Sequence, residues 1–145
     1  MVAAVVAALF GKRASTEAAK ARKVVLSNSL AEEINLAQKI AVEIATLIDL
    51  EKHELARLYT QDLHDRTLTI MARWDSSLSL DSKNNLLNAK LQLESLRAVS
   101  SKIKTGILPN PRQHSLMQDR CGKIRDIFVE EHASAMRRTD EVKNA

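Results

Sequence analysis

The feature that most constrains this chain is the absence of glycine and proline between Lys12 and Thr105. The three glycines stand at positions 11, 106 and 122, and the two prolines at positions 109 and 111. A β or α/β protein needs tight turns in so long an interval, and tight turns depend heavily on these two residue types. The interval is instead rich in Ala, Leu, Glu, Lys and Gln, which favour helix. The sequence therefore predicts an all-α protein.

The first predicted helix runs from residue 16 to about residue 74. Apolar side chains recur in it at steps of three and four, which places them on one helical face. That face carries Leu30, Ile34, Ala37, Ala41, Ile44, Ile48, Leu55 and Leu58, and a second set of Leu36, Ile40, Leu47 and Leu50 widens it. An unbroken helix of this extent is about 90 Å long. The spacing fits one long helix or two stacked helices equally well, and Ser29 with Glu32 forms a capping-box pattern at which the helix could begin or be interrupted.

A second helix is predicted at residues 82–105, after a polar break in which Asp81 or Ser82 is the expected N-cap. It carries a heptad seam, the pattern of coiled-coil packing, at Leu86, Ala89, Leu93, Leu96, Ser100, Ile103 and Ile107. Gly106 marks its C-terminal end.

A third helix is predicted at residues 111–138, with Asn110 as N-cap, Pro111 in the first position and Gln113 three residues after the cap. Its apolar stripe contains Met117, Cys121, Ile124, Phe128 and Ala135, interrupted by Glu131. Because the connections are short, we expect a long antiparallel hairpin or three-helix bundle with coiled-coil-like packing. The N-terminal half of the first helix would then project or pair with a second copy.

The N-terminal 23 residues differ from the rest of the chain. Residues 2–10 are all apolar, and the five basic residues behind them, against one acid, give the segment the whole formal charge of +4. Nine residues span about 13 Å of a hydrocarbon core about 30 Å thick, so the run is too short to cross a bilayer. It also lacks the preceding basic region of a secretory signal.

Three interpretations of this segment remain open. It is the end of a transmembrane helix that starts outside this chain, a short helix lying in the membrane interface, or a helix packed on a neighbouring helix. The candidate lipid contacts are Val5, Val6, Leu9, Phe10, Lys12, Arg13, Lys20, Arg22 and Lys23. Basic residues near an anionic surface each contribute about 1 kcal/mol to attachment.

The histidines offer at most a weak metal-site pattern. His53 follows Asp49 by four residues, and His64 lies eleven residues further, close to three helical turns. A di-iron bundle needs two Glu-x-x-His units on separate helices, and the sequence contains none. Cys121 belongs to an apolar stripe, where a cysteine acts as a small hydrophobic residue. We therefore predict no catalytic residue, no metal ligand and no cofactor.

A second regular polar pattern consists of Lys83, Lys90, Arg97 and Lys104, spaced by seven residues. Flanking the heptad seam, they are expected to pair with acids of the first helix, such as Glu33, Glu43 and Glu54, or with an acidic partner. Four charges on one helix are a weak nucleic-acid footprint, and an aromatic content of 3% argues against base stacking. Trp74 is interpreted as a core plug or as a partner contact.

The chain thus divides into an apolar and basic segment (1–23), a helical bundle (24–139) and a polar tail (140–145). We expect a non-catalytic membrane-proximal scaffold or interaction module that self-associates or binds a helical protein. The lone cysteine favours a reducing compartment, either the cytoplasm or the cytoplasmic side of a membrane. The alternatives are a soluble dimeric bundle with a packed N-terminus and a metal-binding bundle enzyme using His53 and His64.

Overall fold

The computed structural model describes the backbone of residues 2–144 and the side chains of residues 16–144. Four helices occupy the described backbone: α1 (Val2–Asp49), α2 (His53–Arg73), α3 (Leu80–Ser101) and α4 (Pro111–Asn144). Since that backbone contains no strand and the helices pack on one another, the predicted all-α bundle class is confirmed.

The helices form a bundle in which each one contacts two others. α1 and α3 both pack on α2 and on α4, so α1 lies diagonally across the bundle from α3, and α2 from α4. Neighbouring helices run antiparallel, as short connections require. The most extensive contact joins α1 to α4, the two longest helices.

The first predicted helix is two helices because the chain turns back directly after Asp49. α1 ends in a Schellman motif, in which the Lys52 N–H donates to the Leu47 carbonyl over 2.8 Å and the Glu51 N–H donates to the Ile48 carbonyl over 3.0 Å. Glu51 has a φ of 60°, a left-handed conformation that glycine usually provides. Because a glutamate stands there instead, the sequence carries no glycine signal for the break.

The break changes which predicted core residues are buried. Leu55 and Leu58 were expected to continue the first stripe, but they are 43% and 69% exposed, because α2 begins afresh with a different face inward. Leu36 and Leu50 are exposed as well. The other first-helix positions are buried as predicted: Leu30, Ile34, Ala37, Ile40, Ala41, Ile44, Leu47 and Ile48.

The caps of α3 and α4 differ in how well the sequence predicted them. The N-cap of α3 is Ser79, whose Oγ accepts from the Ser82 N–H over 3.1 Å, so the expectation of Asp81 or Ser82 was wrong. The capping box of α4 is confirmed. The Gln113 N–H donates to Asn110 Oδ1 over 2.8 Å, and the Asn110 N–H donates to Gln113 Oε1 over 3.0 Å.

The seam of α3 is shorter than predicted. The helix ends at Ser101, and Gly106, with a φ of 80°, forms a turn closed by the Ile107 N–H and the Lys104 carbonyl. Ile107 is therefore carried out of the seam and is 59% exposed, whereas the seam leucines of α3 are buried. α4 continues to Asn144, past its predicted end at residue 138.

The burial pattern divides the described chain into two regions. The buried apolar side chains of the described chain all lie between Leu30 and Ala135, and we call residues 30–135 the body. α1 and α4 continue side by side beyond the connection between α2 and α3, and we call residues 16–29 and 136–144 the arm. Thr139 is the one buried residue among the described side chains of the arm.

Candidate interaction surface

A groove between α1 and α4 opens in the arm where α2 and α3 end. Its deeper part has a volume of about 210 Å³. It is lined by Lys23, Leu26, Ser27 and Leu30 of α1, by Ala135, Arg138 and Val142 of α4, and by Trp74 and Ser77 of the α2–α3 connection.

A shallower depression of about 370 Å³ continues the groove toward Thr16. Lys23 and Val142 line both parts, so the two form one channel that we call the arm groove. From Thr16 to Leu30 this groove follows α1 for about 21 Å at the usual helical rise.

The floor of the arm groove continues the stripe with which α1 faces the core. Leu30 is 5% exposed and is the first buried apolar residue among the described side chains of α1, whereas Leu26, one turn earlier, is 52% exposed. The change follows from the neighbours, because α2 ends at Arg73 and α3 begins only at Leu80. The arm groove is therefore an apolar helical face without a covering helix in the described chain.

Arg138 gives one wall of the arm groove an unsatisfied positive charge. Its Nη1 donates to the Ser77 carbonyl over 3.3 Å, while its Nη2 is buried without a hydrogen-bond acceptor among the described residues. Buried polar groups nearly always have a partner. With the exposed Lys23 across the groove, Arg138 makes this surface suited to an anionic group.

Trp74 lies at the inner end of the arm groove and is fixed by polar contacts. Its Nε1 donates to Glu33 Oε2 over 2.5 Å, and Arg73 Nη1 donates to Glu33 Oε1 over 2.6 Å. The Arg73 guanidinium also stands 5.5 Å from the centre of the Trp74 ring. At 6% exposure, Trp74 is the core plug that the sequence indicated, and it lines the groove as well.

The heptad-spaced basic residues do not pair with the first helix. α3 lies diagonally from α1, so Glu33 pairs with Arg73 instead. Lys83 Nζ lies 3.3 Å from Asp75 Oδ1 in the α2–α3 connection. The predicted pairing with Glu33 and Glu43 was wrong because α3 packs on α2, the second part of the first predicted helix, and not on α1.

The other members of that set are also dispersed. Lys90 Nζ lies 3.6 Å from Glu94 Oε1 on its own helix. Arg97 is exposed on α3, and Lys104 stands beyond the end of that helix, in the connection to α4. The four residues therefore do not form a single stripe toward one neighbouring helix.

The predicted lipid contacts fall into two groups. The side chains of the first group lie outside the described residues: Val5, Val6, Leu9, Phe10, Lys12 and Arg13. Lys20, Arg22 and Lys23 are exposed on the arm, where Lys20 and Lys23 line the arm groove and Arg22 lies outside it. No helix in the described part of the chain is long and apolar enough to span a membrane.

His53 and His64 do not come together. α1 ends between Asp49 and His53, so these two residues do not share a helical face. The His53 ring stands edge-on to that of His114 with centroids 6.2 Å apart, whereas His64 Nε2 lies 3.2 Å from Glu94 Oε1. Within the described residues, no group of three or more His, Cys, Asp or Glu side chains could hold a metal ion.

Burial governs the chemistry of two titratable groups in the body. It lowers the pKa of His53, with His114 and Arg57 adding to the effect and Glu51 opposing it. Burial, with a smaller contribution from Asp49, raises the pKa of the Cys121 thiol to about 12. A thiol with this pKa stays protonated at neutral pH and is a poor nucleophile.

Sequence reasoning missed Arg138 and Val142 as surface-forming residues, because it predicts that the last helix ends at residue 138. The spacing of residues along α4 does indicate that both belong to its inward face. Phe128, Glu131, Ala135, Arg138 and Val142 follow one another at steps of three and four, so they continue one face of α4.

Comparisons of the chain with protein-family models, with curated proteins and with solved structures returned no match.

Proposed function

We propose that this protein is a non-catalytic helical scaffold, held at an anionic membrane surface by the N-terminal part of α1. The observation that carries the proposal is the continuity of α1 from Val2 to Asp49. One helix joins the apolar and basic segment to the body, so attachment of that segment would position the whole bundle. Residues 2–29 add about 42 Å of helix before Leu30, where the body begins.

The distribution of charge supports attachment through this end of the molecule. The arm carries six basic and three acidic residues, and Lys12 and Arg13 add two more positive charges ahead of it. The body is close to neutral, with 14 basic and 15 acidic residues. The positive charge is thus concentrated beside the apolar run, which is the pairing of signals that interfacial helices use.

Vesicle flotation of the full chain tests this function. We expect it to float with vesicles of phosphatidylcholine and phosphatidylserine at low salt. It should float much less with phosphatidylcholine alone, and high salt should weaken its attachment because exposed charges are screened. Replacing Lys20, Arg22 and Lys23 by Gln should weaken binding about 100-fold, at about 1 kcal/mol for each charge.

The matched control is the triple replacement of Lys83, Lys90 and Arg97 by Gln, which removes the same charge from the body. We expect this variant to bind phosphatidylserine vesicles within about threefold of the parent, because its charges lie far from the surface relative to the screening length of about 10 Å. Equal losses in the two variants, or no flotation of the parent chain, would contradict the proposal.

A further inference from the structure

We propose that the arm groove is the docking site of one acidic amphipathic helix from a partner protein. The inference rests on the proposed scaffold function and names what the scaffold carries. It follows from three independent properties of the arm groove: its shape, its register with the core, and its charge.

The shape of the arm groove suits a helix better than a small molecule. It is a channel about 21 Å long between two antiparallel helices, which matches about 14 residues of a third helix. The groove is an open channel of two parts, about 210 Å³ and about 370 Å³, rather than the closed cleft that buries most of a small-molecule ligand. It is large enough for apolar side chains that a docked helix projects at steps of three and four.

The residues that line the arm groove on α1 lie on the same helical face as the core residues of α1. On α1, Ala19, Lys23, Leu26 and Leu30 follow one another at the steps of three and four that bring core residues inward further along the helix. In the body, α2 covers the equivalent positions of α1, and α3 covers those of α4. A helix lying in the arm groove would continue that layer beyond the α2–α3 connection.

The charge of the arm groove selects an acidic partner. Its charged lining is Lys20, Lys23 and Arg138 against one acid, Glu141, which leaves a net charge of +2. A carboxylate on a docked helix would pair with the Arg138 guanidinium at the groove wall in a charge-assisted contact. A second copy is a poorer occupant, because two arms with six basic and three acidic residues each would repel.

Trp74 provides a direct readout, because it is the one tryptophan of the chain and lines the deeper part of the groove. The probe is a tryptophan-free helical peptide of about 15 residues, long enough to fill the groove, with leucines at steps of three and four flanked by glutamates. The control peptide has lysines in place of the glutamates. We expect saturable change of Trp74 emission with the glutamate peptide and at least about tenfold weaker binding of the lysine peptide.

Two pairs of variants locate the binding. Arg138→Gln should weaken binding of the glutamate peptide about tenfold or more, whereas Arg137→Gln, which removes the same charge from an exposed neighbour, should change it less than about twofold. Lys23→Gln should weaken peptide binding, and Arg22→Gln should leave it unchanged. In vesicle flotation, by contrast, Lys23→Gln and Arg22→Gln should behave alike, so the docking site and the membrane function can fail separately.

Several outcomes would overturn the docking site. One is the absence of a Trp74 response to the glutamate peptide, and another is equal binding of both peptides. A third is a Trp74 response to phosphatidylserine vesicles that Arg138→Gln abolishes, which would make the groove a lipid contact. A fourth is a dimer in sedimentation that Arg138→Gln disrupts and the glutamate peptide does not, which would show that a second copy fills the groove.

Discussion

The body and the arm use the same two helices, α1 and α4, but differ in what covers them. In the body, α2 and α3 lie on the inward faces, and side chains such as Ile34 and Phe128 are fully buried. In the arm, the same stripe carries Lys23 and the half-exposed Leu26. The comparison teaches that these helices extend past the core that stabilises them. A helix without tertiary packing is marginal in water, so the arm depends on α1–α4 contact and on whatever binds it.

The largest expected difference between the regions is the effect of removing an apolar side chain. Phe128→Ala should lower the free energy of unfolding by about 3–5 kcal/mol, because it leaves a cavity in a close-packed core. Leu26→Ala should lower it by less than about 0.5 kcal/mol, because Leu26 is half exposed and has no covering helix. Urea unfolding of both variants measures the difference, and similar losses would show that the arm is packed as tightly as the body.

The next largest expected effect on stability concerns Glu131, a buried acidic residue of the body. Glu131 is 1% exposed; its Oε1 accepts from Asn85 Nδ2 over 2.8 Å, and its Oε2 has no partner among the described residues. Asn85→Ala should destabilise the protein by about 1–3 kcal/mol, because it removes the one protein donor to a buried acceptor. The same change in a Glu131→Leu background should cost less than about 1 kcal/mol, and a full double-mutant cycle measures the difference.

Arg137 in the arm makes an exposed hydrogen bond that can be compared with the buried one between Asn85 and Glu131. Arg137 donates to Ser134 Oγ over 3.1 Å on the exposed surface, so Arg137→Ala should change the unfolding free energy by less than about 0.5 kcal/mol. If Asn85→Ala were equally mild, the polar contacts of the body would contribute no more to stability than those of the arm.

The free energy of unfolding should also fall as the pH is lowered, because of His53 at the end of the body away from the arm. Burial, the neighbouring His114 and Arg57 lower the pKa of His53 in the folded protein. The unfolded chain therefore takes up this proton at higher pH, so acidification below about pH 6.5 favours unfolding. His53→Gln should reduce the loss of stability between about pH 7.5 and about pH 5.5, measured by urea unfolding at each pH.

A matched control for this prediction is His132→Gln. This variant also removes one histidine, but on α4 and outside the contacts that lower the pKa of His53, so the environment of His53 stays as in the parent. A His53→Gln variant that loses as much stability on acidification as the parent would contradict the assigned origin of the effect.

The smallest expected effect concerns the left-handed residue that ends α1. Glu51→Gly should stabilise the protein by at most about 1 kcal/mol, since relief of the left-handed conformation is partly offset by the greater freedom of glycine when unfolded. Glu51→Val should destabilise it, because β-branched residues are strained at positive φ. Thermal unfolding ranks the variants, and a more stable valine variant would contradict the Schellman geometry.

The sequence predicted the helices and most of the core because both follow from local patterns. The stripe of α1, the seam of α3 and the capping box at Asn110 each depend on residues a few positions apart. The break after Asp49 was not predictable in the same way, because Glu51 occupies a position where glycine would have been the signal. Tertiary contacts hold the chain in that turn.

The arm groove was even harder to predict from the sequence than the break after Asp49. Its existence depends on where α2 and α3 stop relative to α1 and α4, which in turn depends on the missed break. With three predicted helices, the second lies on the first, and Lys83 and Lys90 are assigned partners across that contact. With four helices, these lysines pair elsewhere, and Lys23 and Arg138 become the charged groups that face one another.

Amide hydrogen exchange along the full chain is the most direct test of the central claim that the arm is an uncovered extension of a covered bundle. The account predicts that residues 16–29 and 136–144 exchange at least about tenfold faster than residues 30–49 and 111–135. The glutamate peptide should slow exchange in the arm and leave the body unchanged. Equal protection of arm and body in the free protein would contradict the account, because it would mean that the arm is already covered.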